Sequence, residues 1–316
     1  RGEAFVMARY DTTTVGVPLV VIPANLDFTY PEEQPLAGAT AGARQIDDLV
    51  AVKLAGLRID PSAICDDETF LRRATLDLVG LLPTAEERAA FLAAVDPDKR
   101  TRKVDELMAR KEFTELWVMR WAEMLQIRSQ GNEVSPKGAL LYHQWLDRRI
   151  AANEPVDVMV RDLLTASGGT FENPPTNYFQ LERNTLKLAE NVAQAFLGMR
   201  IQCAQCHNHP FDRWTMDDYY GFAAFFSQIS RKRAADPREM IIFDSGGGEL
   251  QHPVRKKPVV PRFLGGEAPK IPDRGRRQAV ADWITSPDNP SFSRHIANIA
   301  WAQFFGRGIV HEPDDA

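Results

Sequence analysis

Beyond residue 44 the apolar positions of this chain recur mostly at helical spacing, and only its first residues have the density of β-strands. Residues 3–10 (EAFVMARY) and 14–22 (TVGVPLVVI) are rich in β-branched and apolar side chains around a short polar turn, which predicts two strands. Residues 23–43 hold three prolines and little periodicity, as a linker does. Ile46, Leu49, Val50 and Leu54 then open a helical pattern. Asp67 stands where a cap is expected before Phe70, Leu71, Ala74, Leu76 and Leu78, with Gly80 and Pro83 ending that segment. Thr84-Ala85-Glu86-Glu87 has the form of a capping box. Phe113, Trp117, Trp121, Met124 and Leu125 make an aromatic-rich stripe, which ordinarily packs a core.

Further helices are expected from Ser135-Pro136 through Ile150, and from Pro155 through Leu164. Residues 166–178 read as a turn-rich loop. A helix from about Asn184 carries Leu188, Val192, Ala195, Phe196 and Met199 on one face. Thr215 is placed to cap a helix with Tyr219, Phe222, Ala223, Phe226 and Ile229 on its apolar side. Residues 240–263 hold short extended pieces among Gly and Pro, and 276–305 read as two helices broken at Ser286-Pro287. The expected fold is mainly α: a multi-helix domain, a small N-terminal β portion, and a short β/loop insertion near 240–263.

The chemistry concentrates in Cys203-Ala204-Gln205-Cys206-His207, a C-x-x-C-H pentapeptide and the attachment pattern for c-type haem. Two thiols three apart can each form a thioether to a haem vinyl group, and the next residue, His207, then faces the iron as an axial ligand. Continued at helical period, the stripe from Leu188 meets Cys203, Cys206 and His207, so all three are expected to point inward. Pro210 disfavours further helix because its predecessor His209 is biased away from helical geometry. Three other readings stand beside haem: a redox disulfide, zinc held with His207 or His209, and buried thiols without a role. Zinc lacks the second half of a usual site, since no other C-x-x-C or H-x3-H occurs.

At 316 residues, 44% hydrophobic and 26% charged, the chain has the make-up of a globular protein of two or more structural units. Its net charge of −5 argues against a general nucleic-acid binder, and Arg231-Lys232-Arg233 and Arg255-Lys256-Lys257 read as solvated loops. No apolar run approaches the length of a membrane span. Haem attachment of the c type takes place outside the cytoplasmic membrane. The protein is therefore expected to be exported, to the periplasm or cell surface, with its signal upstream of residue 1. Cys65 is then the unpaired third cysteine, a small apolar residue.

The stretch IQCAQCHNHPFDRWTMDDYYGFAAFF (201–226) resembles the signature of a planctomycete-type cytochrome-like domain family of unknown function. FLRRATLDLVGLLPT (70–84) and LLTASGGTFENPPTNYF (163–179) fit the same family, and 276–315 resembles the opening of its usual partner domain. Residues 1–22 resemble the closing strands of a bacterial Ig-like domain of group 2. The expected organisation is thus an Ig-like end over 1–22, a linker over 23–43, the helical cytochrome-like domain over 44–235, a loop/β connection over 236–275 and the following domain from 276. The resemblance implies a large modular exported polypeptide with an unidentified redox partner, and it supports Cys203, Cys206 and His207 as the haem-binding set.

For the opposite iron face, His143 and His295 rank first, ahead of His252, His311, Met199 and Met216. Arg200 and Arg213 flank the motif and are candidates to pair with propionates. His209 is poorly placed to reach around the ring and is expected to bond a propionate or cap the turn. Electron transfer through one haem is the expected function. A haem enzyme of peroxidase or oxidase type, and a zinc-stabilised adhesion or scaffold module without redox role, are the alternatives.

Overall fold

The computed structural model describes residues 2–10, 13–22, 27–29, 41–131, 133–210, 212–271 and 275–313. The chain divides into two compact units, Arg1–Phe113 and Thr114–Ala316. Most of the expected linker 23–43 lies outside the described residues. The described structure is mainly helical, with twelve α-helices and five short strands. None of these helices is long and apolar enough to cross a membrane.

In the first unit, strands β1 (Gly2–Tyr10) and β2 (Thr13–Val21) form an antiparallel hairpin in register from Gly2↔Val21 to Tyr10↔Thr13. Four helices follow: α1 (Ala41–Leu57), α2 (Asp67–Val79), α3 (Ala85–Ala93) and α4 (Lys99–Met108). The cap of α2 is Asp66, one residue before the expected Asp67, and its carboxylate accepts from the Thr69 N–H at 2.8 Å. Asp67 instead ties α2 to α4, accepting from Arg100 Nε at 2.8 Å with Lys99 Nζ 2.7 Å away. The Thr84/Glu87 capping box that opens α3 forms as the sequence predicts. Leu78, Val79 and Leu107 make the small core between α2 and α4.

The second unit holds the main core. Helices α5 (Lys111–Met124, begun in the first unit), α6 (Pro136–Ala151) and α7 (Val156–Thr165) start where the aromatic stripe, Ser135-Pro136 and Pro155 predict. The expected loop at 166–178 contains a two-residue strand, β3 (Gly168–Gly169), and a short helix α8 (Asn177–Leu181) begins within it. Helix α9 (Thr185–Leu197) is buried along most of its length, and α10 (Met216–Ala223) packs on it. The expected apolar face of α10 runs past its end. Ile229 opens strand β4 (Ile229–Arg233), which pairs antiparallel with β5 (Met240–Asp244) in a three-stranded sheet ordered β3-β5-β4. A helix and a strand share this apolar run because a short 3₁₀ turn at Ala224–Phe226 intervenes.

Helices α11 (Arg276–Ile284) and α12 (Pro290–Phe305) pack on α7 and α9. Arg277 anchors α11. Its side chain is 3% exposed and forks onto Asp244 at 2.9 and 2.8 Å, and it also donates to the Ala166 carbonyl and to Ser167 Oγ. One guanidinium thereby joins α11, the end of α7 and the end of β5. His295 of α12 is 1% exposed, with Nε2 3.0 Å from the Ala195 carbonyl of α9.

Two outcomes follow. Arg277→Leu leaves Asp244, the Ala166 carbonyl and the Ser167 hydroxyl facing the cavity it vacates and lowers the stability of the second unit by about 3–5 kcal/mol in chemical denaturation. Arg277→Lys does not restore it, because an ammonium lacks the planar fork. In the first unit, Lys99 and then Arg100 hold the Asp67 carboxyl below its usual value. A lowered folded-state pKa contributes stability above the unfolded value and loses it as pH falls through the folded one. Acid melting of the α2–α4 helices, followed by circular dichroism below about pH 4, is therefore expected to flatten in Asp67→Asn.

Candidate functional site

The motif sits where α9 stops. Asn184 caps the start of that helix, its side chain accepting from the N–H groups of Leu186 and Lys187 at 2.9 and 3.1 Å. Leu188, Val192, Ala195 and Phe196 are buried, as their spacing predicts. The helix ends at Gly198, whose φ of 64° is a left-handed value that glycine adopts without a Cβ clash. The N–H groups of Gly198 and Met199 return to the carbonyls of Gln194 and Ala193.

Because α9 ends there, Cys203 and Cys206 do not continue its inward face. Residues Gln202–Gln205 form a 3₁₀ turn, in which side chains three apart lie on one side. Ile201 and Ala204, three apart, are fully buried and occupy the inner side. Cys203 and Cys206, also three apart, stand on the outer side as exposed free thiols, and His207 is exposed next to them. The expectation that all three point into the core is thus corrected: the period changes from 3.6 to about 3 at the turn, and the buried positions move to Ile201 and Ala204.

The His207 ring is oriented by its own backbone neighbour. Nδ1 lies 2.7 Å from the Asn208 carbonyl. A carbonyl only accepts, so this contact places the ring proton on Nδ1 and leaves the Nε2 lone pair for another partner. Asn208 Oδ1 accepts from the Met216 N–H at 3.2 Å. His209 closes the following turn as expected: its N–H donates to the Trp214 carbonyl at 2.7 Å, and its Nδ1 accepts from the Asp212 N–H at 2.9 Å. Phe211 lies outside the described residues. Thr215 and Asp218 form a capping box that fixes the start of α10.

Two tyrosines of α10 support the turn from beneath. Tyr220 Oη donates to the Gln205 carbonyl at 3.2 Å, and Tyr219 Oη donates to Glu190 Oε1 at 2.6 Å. Burial raises both phenols above their usual pKa; the Glu190 hydrogen bond adds to the rise at Tyr219, and the neighbouring Cys206 sulfur adds to it at both. Sequence reading placed Tyr219 only as core and did not single out Asn208 or Tyr220. Adjacent tyrosines one helical turn beyond a capping residue are the signal that was there to find.

The flanking candidates fall in different surroundings. Arg213 is exposed and stacks 4.6 Å from the Trp214 ring, while Arg200 lies 3.5 Å from Glu312. Trp214 is 3% exposed, and its indole N–H has no acceptor among the described residues. His143 is exposed on α6. His295 is buried in the core, with its Nε2 at the Ala195 carbonyl in the contact that packs α12 on α9. Among the described residues, no three His, Cys, Asp or Glu side chains are gathered as a cluster able to hold a metal ion.

Comparison with known families gives two matches. The model of PSCyt2, a protein of unknown function (DUF1549), covers residues 45–231, and that of PSD1, a protein of unknown function (DUF1553), covers residues 276–316. Two adjacent family segments in one chain are consistent with a larger modular polypeptide. No curated protein and no solved structure matches. The first match takes in more than half of the chain, the motif turn included, and so the chain belongs to the planctomycete-type PSCyt2 family of unknown function.

Proposed function

We propose that this chain is an exported c-type haem protein that transfers electrons through one haem, with Cys203 and Cys206 as its thioether sulfurs and His207 as an axial ligand. The observation that carries this reading is the turn itself. It presents two free, exposed thiols on one side, followed by an imidazole whose Nδ1 is held by a carbonyl. The donor set fits the group: two sulfurs for two vinyl carbons, and a nitrogen whose tautomer is fixed from behind, as ligating histidines require.

In attachment each thiol adds across one vinyl double bond. A carbon–sulfur bond forms, the thiol hydrogen goes to the neighbouring vinyl carbon, and nothing leaves. Bound there, haem supplies a one-electron couple. The chain's own contribution is positional: Ile201 and Ala204 anchor the turn, Tyr220 holds its Gln205 carbonyl, and Asn208 orients His207. Exposure of the turn favours electron exchange with a partner protein at the surface over a reaction enclosed in a pocket. The same exposure, with no gathered ligand set among the described residues, weighs against tetrahedral zinc at Cys203–His209. Export to the periplasm or cell surface follows from where such attachment occurs.

The test is intact mass together with a pyridine haemochrome spectrum on protein exported in a host with the attachment machinery. A mass excess of one haem, about 0.6 kDa, and a c-type band are expected. Cys203→Ser or Cys206→Ser leaves one thioether and shifts the band, and His207→Ala abolishes the low-spin spectrum. Unmodified mass with a disulfide or bound zinc would sink the reading. A high-spin spectrum that moves on adding cyanide would replace electron transfer by peroxide or oxygen chemistry.

A further inference from the structure

The basic run 255–257, which reads in sequence as a solvated loop, borders a cavity of about 360 Å³ in the second unit. Three cationic side chains line it, Arg255, Lys257 and Arg262, against the single carboxylate of Asp217, with Val259 and Val260 among its apolar walls. Asp217 is engaged on two sides. It pairs with Arg255, and its Oδ1 lies 3.2 Å from His252 Nε2 without the alignment of a full hydrogen bond. Arg262 is only loosely paired, 4.0 Å from Asp218. The lining therefore keeps a cationic excess carried by Lys257 and Arg262.

The backbone around this cavity is fixed. His252 is 7% exposed, and its Nδ1 accepts from the N–H groups of Val254 and Arg255, both at 3.2 Å. The His252 N–H donates to the Lys257 carbonyl at 2.9 Å and the Val259 N–H to the Leu250 carbonyl at 2.8 Å, which closes a hairpin-like turn. The Arg262 N–H donates to the Gly221 carbonyl of α10 at 3.0 Å. A Cβ at Gly221 would stand 2.8 Å from Arg262 Cβ, so glycine is what lets the segment at Arg262 lie against the helix. Donors held in place by the backbone before a ligand arrives bind it with less ordering cost.

We infer that this cavity binds the carboxylate of a small, partly aliphatic organic acid, with Lys257 and Arg262 pairing its charge and the valines covering its chain. Charge-assisted contacts of ammonium and guanidinium to a carboxylate are the strong kind. One ligand chemistry has two sources here: a free aliphatic acid, or the propionate side chain of a haem attached at the motif. Tyr220 links the motif turn to this cavity, its ring 5.5 Å from that of His252 and its hydroxyl on the Gln205 carbonyl. The inference stands without the haem.

The experiment is calorimetric titration of the full chain with hexanoate at low salt, with hexan-1-ol as the uncharged control. It is run on Cys203→Ser/Cys206→Ser, which cannot attach haem, and on haem-loaded protein. Saturable hexanoate binding to the haem-free chain is expected, absent for hexan-1-ol, weakened by salt, and weakened about tenfold by Lys257→Gln or Arg262→Gln. Both side chains are exposed, and unchanged melting of these variants confirms that the fold is kept. Loss of hexanoate binding in the haem-loaded chain identifies the propionate as the natural occupant; retention identifies a free acid. No saturable binding in the haem-free chain, equal binding of the alcohol, or unchanged affinity in both variants overturns the inference, whichever way the haem question is answered.

Discussion

The second unit is organised by the burial of α9, and the place where that helix has to stop decides what the motif can do. Seven of its residues are buried, α10 and α12 pack on it, and His295 bonds its backbone. Such a helix cannot carry two reactive thiols on its buried face and still offer them to anything outside the core. The left-handed Gly198 ends it, and a tight turn anchored by Ile201 and Ala204 reverses the side on which the next residues stand. The sulfurs are outside because the apolar side chains of Ile201 and Ala204 are inside.

A second constraint joins segments that the family comparison separates. Arg277 lies in the PSD1 match, yet its guanidinium is buried against Asp244 and the end of α7, and α7 lies in the PSCyt2 match. A buried charge of this kind is tolerated only when its partners are complete. Helices α11 and α12 therefore belong to the same compact unit as the motif. The family segments run over 45–231 and 276–316, whereas the packing puts its boundary at Phe113/Thr114.

Much of this was legible beforehand. Helix starts were marked by chemistry that acts locally: Thr84 with Glu87, Ser135 before Pro136, Asn184 and Thr215 all cap as their residue types predict. The pentapeptide itself was plain from spacing. What misled was continuity of period. The stripe of α9 was carried through Gly198, and that of α10 through Ile229, because periodicity by itself does not register a left-handed residue or a 3₁₀ turn. The pairing of Gly168–Gly169 with β5 was also hidden, since strand partners distant in sequence leave no local pattern. The surroundings of His252 and Tyr220 were illegible for the same reason.

The outward stance of the turn at Gln202–Gln205 also bears on the order of assembly. Its reactive side chains make no part of the closed core, so the core owes its integrity to Phe196, Ile201 and their neighbours and not to anything later fastened at the surface. Under the proposed reading, attachment of the haem and completion of the chain's architecture would be separable events, and an attachment enzyme would meet a finished surface loop in place of an unfolded peptide.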